Sequence, residues 1–178
     1  MPSSSRSACC SAATRRSRAG GAAFAAHTVA MTMTPREMLD RGAAELAEVL
    51  GPANFTFAAL DDDDGSGGAF ANGEFRRGER RLELQVRRSL SLVRYHFGEE
   101  ESLSHEDLVR GVRALERIAA EGQYPGFSDD PATAFHRLRV DLDRFGAIFV
   151  SGGAKAFRAL KKWLDKHPKK SGLAGLGP

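Results

Sequence analysis

The spacing of apolar side chains changes period twice along this chain, from helical to strand-like and back. Between Thr34 and Leu50 the residues Met38, Leu39, Leu46, Val49 and Leu50 recur at helical spacing. The ends of that run are marked. Thr34 can cap, Pro35 suits the first turn, Glu37 completes a capping box three residues on, and Gly51-Pro52 stops the helix. From Asn54 to Phe97 the period falls to two: Phe55, Phe57 and Ala59 alternate with polar or small neighbours, and Asp61 to Gly68 reads as a loop. Ala69 to Arg77 then carries Phe70 and Phe75 around Asn72-Gly73. The strongest strand signal follows, with Leu82, Leu84 and Val86 alternating with Arg81, Glu83, Gln85 and Arg87. Leu90, Leu92 and Val93 lead on to Tyr95 and Phe97, either as one long bent strand or as two strands hinged near Arg88-Ser89. Such short connections exclude parallel crossovers, so the strands form an antiparallel meander of three to four.

Helical spacing returns after Ser104, which with Asp107 starts a second helix whose stripe is Leu108, Val112, Leu115, Ile118 and Ala119, ending at Gly122. Asp129-Asp130-Pro131 opens a third, with Phe135, Leu138, Leu142, Phe145, Ile148 and Phe149 on one side until Gly152-Gly153. A fourth runs from Ala154 to Lys166 with Phe157, Leu160, Trp163 and Leu164 as its apolar side. The order predicts an α+β domain over 34–168, an N-terminal helix and about three C-terminal helices packed on one face of the meander. Residues 169–178 read as a basic, Gly-rich flexible tail.

Residues 1–33 read differently, as a disordered extension, because Ser, Ala, Arg, Thr and Gly dominate the first 30 and leave too little apolar surface to offset ordering. An over-long translation start, with Met31 and Met33 just ahead of the first helix, is one reading; an organelle transit peptide or a secretory leader are the others. A cytoplasmic body is the default, with an organelle or export if the segment is a targeting signal. No stretch of the 178 residues approaches the apolar length of a membrane span, so no membrane partner is expected.

Charge alters the picture only when divided along the chain. The net +3 belongs to the ends: residues 1–30 carry four arginines and no acid, and from Lys155 onward seven cations face the single Asp165. The interval 31–154 is therefore at −7, which argues against a DNA-binding body. Every lysine lies at position 155 or later.

Candidate chemistry is sparse. Cys9 and Cys10 are the only cysteines, leaving no thiolate zinc site or cysteine nucleophile in the body. Asp61 to Asp64 before Gly65 fails the helix-loop-helix calcium frame, since Leu60 and Ala71 fall where carboxylates are required. His96 and His105 could approach across the Gly98 to Leu103 loop, with Glu106 or Asp107 nearby, but no paired-histidine motif is present and no metal is assigned. No serine elbow, phosphate loop or dinucleotide fingerprint occurs; Gly152-Gly153-Ala154-Lys155 is a helix-to-helix turn. No cofactor is assigned. Catalysis by scattered carboxylates and histidines ranks a distant third among the function classes.

The feature that stands out is arginine. Between Glu74 and Arg94 seven arginines face three glutamates, and alternation sends Arg81, Glu83, Gln85 and Arg87 to the side opposite Leu82, Leu84 and Val86. Solvated cross-strand Arg–Glu pairs would account for it. The functional expectation is a non-enzymatic interaction module, an adaptor, chaperone-like or neutralising factor, docking an acidic protein partner through Arg76, Arg77, Arg81, Arg87 and Arg94. RNA binding through the same face is the alternative, with Phe70, Phe75 and Tyr95 available to stack bases if they point outward.

Deleting residues 1–30, or Lys169 to Pro178, is expected to leave the thermal midpoint unchanged, whereas truncation before Phe157 should cost about 3–5 kcal/mol or more. Thermal melts of the three truncations check this.

Overall fold

Thr34 does what its neighbours require. In the computed structural model, which describes residues 33–60, 63–65, 68–126 and 130–169, helix α1 (Pro35–Leu50) starts with the Thr34 hydroxyl accepting from the Glu37 amide at 3.2 Å. The Glu37 carboxylate in turn accepts from the Thr34 amide at 2.8 Å and from the Thr34 hydroxyl at 3.1 Å, and these bonds to the carboxylate hold its pKa below the ordinary value. Of the N-terminal extension only Met33 is among the described residues, and of the C-terminal tail only Lys169, so both expectations lie outside what the structure describes.

Among the described residues six strands follow: β1 (Thr56–Ala59), β2 (Asp63–Gly65), β3 (Gly68–Arg77), β4 (Arg80–Val86), β5 (Leu90–Phe97) and β6 (Glu101–Ser104). All pairings are antiparallel, in the order β1-β3-β4-β5-β6, with the short β2 folded back on the start of β3. The meander thus has five strands in its main path rather than three to four. The added strand is β6: Glu99 to Glu101 reads as a solvated loop, and Leu103 is its only apolar side chain, so four residues show no period. Asp63–Gly65, expected within a loop, pairs with Gly68–Phe70 instead. Leu82 to Phe97 resolves into two strands, because Arg87 and Ser89 close a tight turn through an amide-to-carbonyl bond of 3.0 Å. Gly78 (φ 56°) and Gly98 (φ 68°) take the left-handed backbone needed where β3 meets β4 and β5 meets β6.

Cross-strand register assigns the faces. Phe57, Phe75, Leu82, Tyr95 and Leu103 form one row, Gly73, Leu84 and Val93 a second, and Ala71, Val86 and Leu90 a third, all on the side covered by helices. Gly73 is small for a reason, since a Cβ there would lie 2.7 Å from the Phe57 ring and 3.1 Å from Leu39 of α1. Helices α2 (His105–Glu116), α3 (Pro131–Phe145), α4 (Ala147–Val150) and α5 (Ala154–Lys166) complete the layer. Their Leu108, Val112, Phe135, Leu138, Phe145, Phe149, Phe157 and Leu160 join Leu39 and Leu46 in one core. Aromatic rings knit the layers together, with Phe149 edge-on to Tyr95 at 5.0 Å and Phe157 against Phe97 at 5.7 Å.

Two helix boundaries and the burial of one side chain differ from the periodicity. α2 stops at Glu116 and Arg117 turns left-handed (φ 57°), so Ile118 and Ala119 leave the helix. The third run breaks at Gly146 into α3 and the single turn α4. Trp163 is half-buried rather than a core residue; its ring stacks on His167 at 4.4 Å, with the Arg110 guanidinium 6.0 Å away. No helix of the described residues is long and apolar enough to cross a membrane.

Close approach of the helices also constrains small residues. A Cβ on Gly42 would overlap the Phe135 ring, and one on Gly111 would overlap Leu160. Gly42→Ala and Gly111→Ala are each expected to destabilise by about 1–3 kcal/mol despite alanine's better helix propensity, read as lowered urea midpoints.

Candidate functional site

Among the described residues no helix covers the second side of the sheet; that side carries the arginines, and register sorts them. Thr56, Arg76, Arg81, His96 and Ser102 form one outward row, and Ala58, Glu74, Glu83, Arg94 and Ser104 the next. Of the five arginines named from the sequence, the face brings together Arg76, Arg81 and Arg94. Arg87 lies past the end of β4, its guanidinium 5.2 Å from the Phe70 ring.

Arg77 does not belong to the face at all. Paired with Arg80 across the β3–β4 turn, it lies on the helix side, where it donates to the carbonyls of Ala53 (2.8 Å) and Val150 (3.0 Å). Arg80 donates to Val150 at 3.1 Å and to the Gly152 carbonyl. These two guanidiniums tie the sheet's end to the corner between α4 and α5; burial, then the neighbouring Arg77 charge, lowers the Arg80 pKa. The physical reason for the correction is parity: adjacent strand residues point to opposite faces, so Arg76 and Arg77 cannot share one.

Most charge on the outward face is spent within it. Glu74 is only 3% exposed and lies beneath Arg76, with which it forms an ion pair, and Arg81, whose Nε is 3.8 Å away. His96 bridges Glu83 (Nε2 to Oε2, 2.7 Å) and Arg81 (Nδ1 to a guanidinium nitrogen, 3.3 Å). Gln85 donates to Asn72 at 3.1 Å. Arg94 is exposed and has no carboxylate partner among the described residues, while the Arg76 side chain remains 58% exposed despite its ion pair. The result is a lattice of fixed guanidiniums and carboxylates with one uncompensated charge, rather than a broadly basic surface. Phe75 and Tyr95 point the other way, 1% and 0% exposed, and cannot stack bases; Phe70 is half-buried beneath Arg87.

A second constellation lies in the core. His105, the first residue of α2, receives the Tyr95 hydroxyl at Nδ1 (2.8 Å) and contacts Asp141 of α3 through Nε2 (3.0 Å). Asp141 also accepts the amides of Gln123 (2.7 Å) and Tyr124 (2.9 Å). Burial pushes the Asp141 carboxyl's pKa upward, but the bonds from His105, Tyr124 and Gln123 outweigh it and hold the pKa below its ordinary value. An ionised Asp141 requires the proton on Nε2, which leaves Nδ1 to accept from Tyr95. Burial, and then the Asp141 charge, drives the Tyr95 pKa well up; burial pushes Tyr124 to about 12. Carboxylate, imidazole and hydroxyl in line is the arrangement of a proton relay. Its terminal hydroxyl is fully buried, however, so the line braces the fold at that end.

The sequence named His105 but not Asp141 or Tyr124. His96 and His105 do not approach as expected, because one lies on the outward face and the other against Tyr95 on the inner one. No group of metal-ligating side chains occurs among the described residues. Comparison of the chain with protein-family models, curated proteins and solved structures returned no match.

Asp141→Asn should cost about 3 kcal/mol at pH 7, because the amide cannot serve the donors that surround a carboxylate. A depressed native pKa gives stability that is present above the unfolded carboxyl value and lost as pH falls through the native one. Urea unfolding should therefore show the gap between wild type and variant closing below about pH 4.

Proposed function

We propose that this protein is a non-enzymatic interaction module that docks an acidic protein partner on its helix-free sheet face. The observation that carries the reading is the state of the three outward arginines. Arg76 and Arg81 are fixed by the sunken Glu74 yet still present guanidinium edges, and Arg94 beside them lacks a carboxylate. A carboxylate-bearing partner would find planar donor forks already ordered, so binding loses little side-chain freedom. Arg87 extends the basic side past the end of β4. The opposite charge of the remaining body supports a local rather than global attraction, and a local field acts chiefly on encounter rate and is screened by salt.

The inward placement of Phe75 and Tyr95 favours a protein over RNA, since a base-binding sheet needs outward aromatics beside its arginines. The test is affinity capture from an extract of the source cells with the wild-type chain and with the R76E/R94E variant, both verified as folded by circular dichroism. Wild type should retain an acidic protein that elutes between about 0.1 and 0.5 M salt, and the variant should not. Retention of the same protein by both chains overturns the reading; release of nucleic acid in place of protein, checked by nuclease treatment, transfers it to RNA.

A further inference from the structure

Helix α5 turns two chemically opposite sides to its surroundings. Phe157, Leu160 and Leu164 are buried in the core, while Lys155, Lys162 and Lys166, at i, i+7 and i+11, stand exposed on the far side in one row about 16 Å long. The helix carries a single acid, Asp165, against five cations. Of its exposed cations only Arg158 has a carboxylate at ion-pair distance among the described residues, Glu101 of β6 at 3.1 Å. The three lysines of the row are left uncompensated.

Rings accompany the row. Lys162 is followed by Trp163 and Lys166 by His167, so that lysine and ring alternate over one helical turn. The two rings stack with 4.4 Å between centroids and 16° between planes. The imidazole is fixed in this position: its Nδ1 lies 2.8 Å from the Trp163 carbonyl, and Arg110 of α2 donates to the His167 carbonyl. Trp163 is half-buried beneath it, whereas His167 is exposed. An ordered flat ring is therefore presented to solvent next to a line of free ammonium groups.

We propose that this side of α5 binds single-stranded nucleic acid, with phosphates along Lys155, Lys162 and Lys166 and a base stacked on the exposed ring of His167. Lysine ammoniums are point charges on flexible stems and meet a line of phosphates without the planar fork that carboxylate recognition favours. The stacked ring decides the class of partner, because a nucleic acid offers flat faces beside its charges and an acidic protein surface does not have to. Those faces are free only in a single strand. An anionic bilayer fits less well, since the apolar side of α5 that would enter lipid is buried in the core, and Glu106, with its side chain 74% exposed, lies with Asp107 close to the helix's end, where both meet Lys169. The acidic charge of the interval 31–154 confines the attraction to this end of the chain. The row belongs to the helical layer and not to the outward sheet face, and its assignment does not rest on the function proposed above.

The probe is a fluorescein-labelled single-stranded RNA of about twenty uridines, titrated into the full chain at low salt and followed by anisotropy. Wild type should bind with a Kd of about 1–100 μM, and the His167 ring protons should move upfield in the complex. K155Q/K162Q/K166Q, verified as folded by circular dichroism, should bind at least about tenfold more weakly, with the slope of log K against log salt shallower by about 2, the share of three phosphate contacts on a single strand. His167→Ala should weaken binding by about fivefold or more and leave that slope unchanged. The R76E/R94E variant should bind as wild type does, which separates this site from the arginine face. Absence of binding by wild type, undiminished binding by the triple lysine variant or by His167→Ala, or loss of binding in R76E/R94E would each overturn the proposal. So would equal affinity for base-free polyphosphate, or preferential retention on phosphatidylserine vesicles, which would reassign the row to a phosphate polymer or a membrane surface.

Discussion

One buried carboxylate sets the geometry of the helical layer. Asp141, 1% exposed, cannot be left without donors, and it finds three of them in two places far apart in sequence: His105 at the start of α2 and the adjacent amides of Gln123 and Tyr124 in the loop beyond it. Meeting that demand explains why α2 ends early. The chain must turn at Arg117 so that the loop can bring two amides back over α3. It also explains how the layer is joined to the sheet, because His105 hands the network on to Tyr95 in the middle of β5. A network of this type is worth having only when complete, since a half-satisfied one is costlier than apolar packing.

Local signals in the sequence reached far, and their failures share a cause. The caps at Thr34, Ser104 and Asp130 all form as expected, because a cap depends on residues within one turn. The helical stripes and the alternation of β4 likewise follow from spacing alone. What escaped depends on distant partners. Asp141 occupies a place in the apolar stripe between Leu138 and Phe145, and an acid at such a position is the signal that could have revealed it. Its donors, lying about twenty to forty residues away, have no mark of their own. β6 escaped because a strand with a single apolar residue exists only by virtue of the strand beside it.

The arginine cluster shows why composition and surface are different quantities. Seven arginines over a short stretch suggest a basic patch, yet parity sends Arg77 and Arg80 inward, Glu74 holds Arg76 and Arg81 of the outward group, and Glu83 is tied to His96. Charge counted along the chain became, in three dimensions, an ordered array with little excess. Order matters for recognition in its own right, since a guanidinium already fixed presents its fork at lower entropic cost than a free side chain.

The two inward arginines carry a further consequence for how the molecule comes apart. The corner between α4 and α5 is fastened to the sheet by Arg77 and Arg80 through main-chain carbonyls alone. A guanidinium keeps its proton across the accessible pH range and a carbonyl has none to gain, so this fastening is indifferent to acid. The fastening of α2 and α3 to the sheet through Asp141, His105 and Tyr95 is not. Acid therefore divides attachments that neutral pH makes look alike: the ties through Asp141 lose their charge, while those of Arg77 and Arg80 to main-chain carbonyls keep theirs.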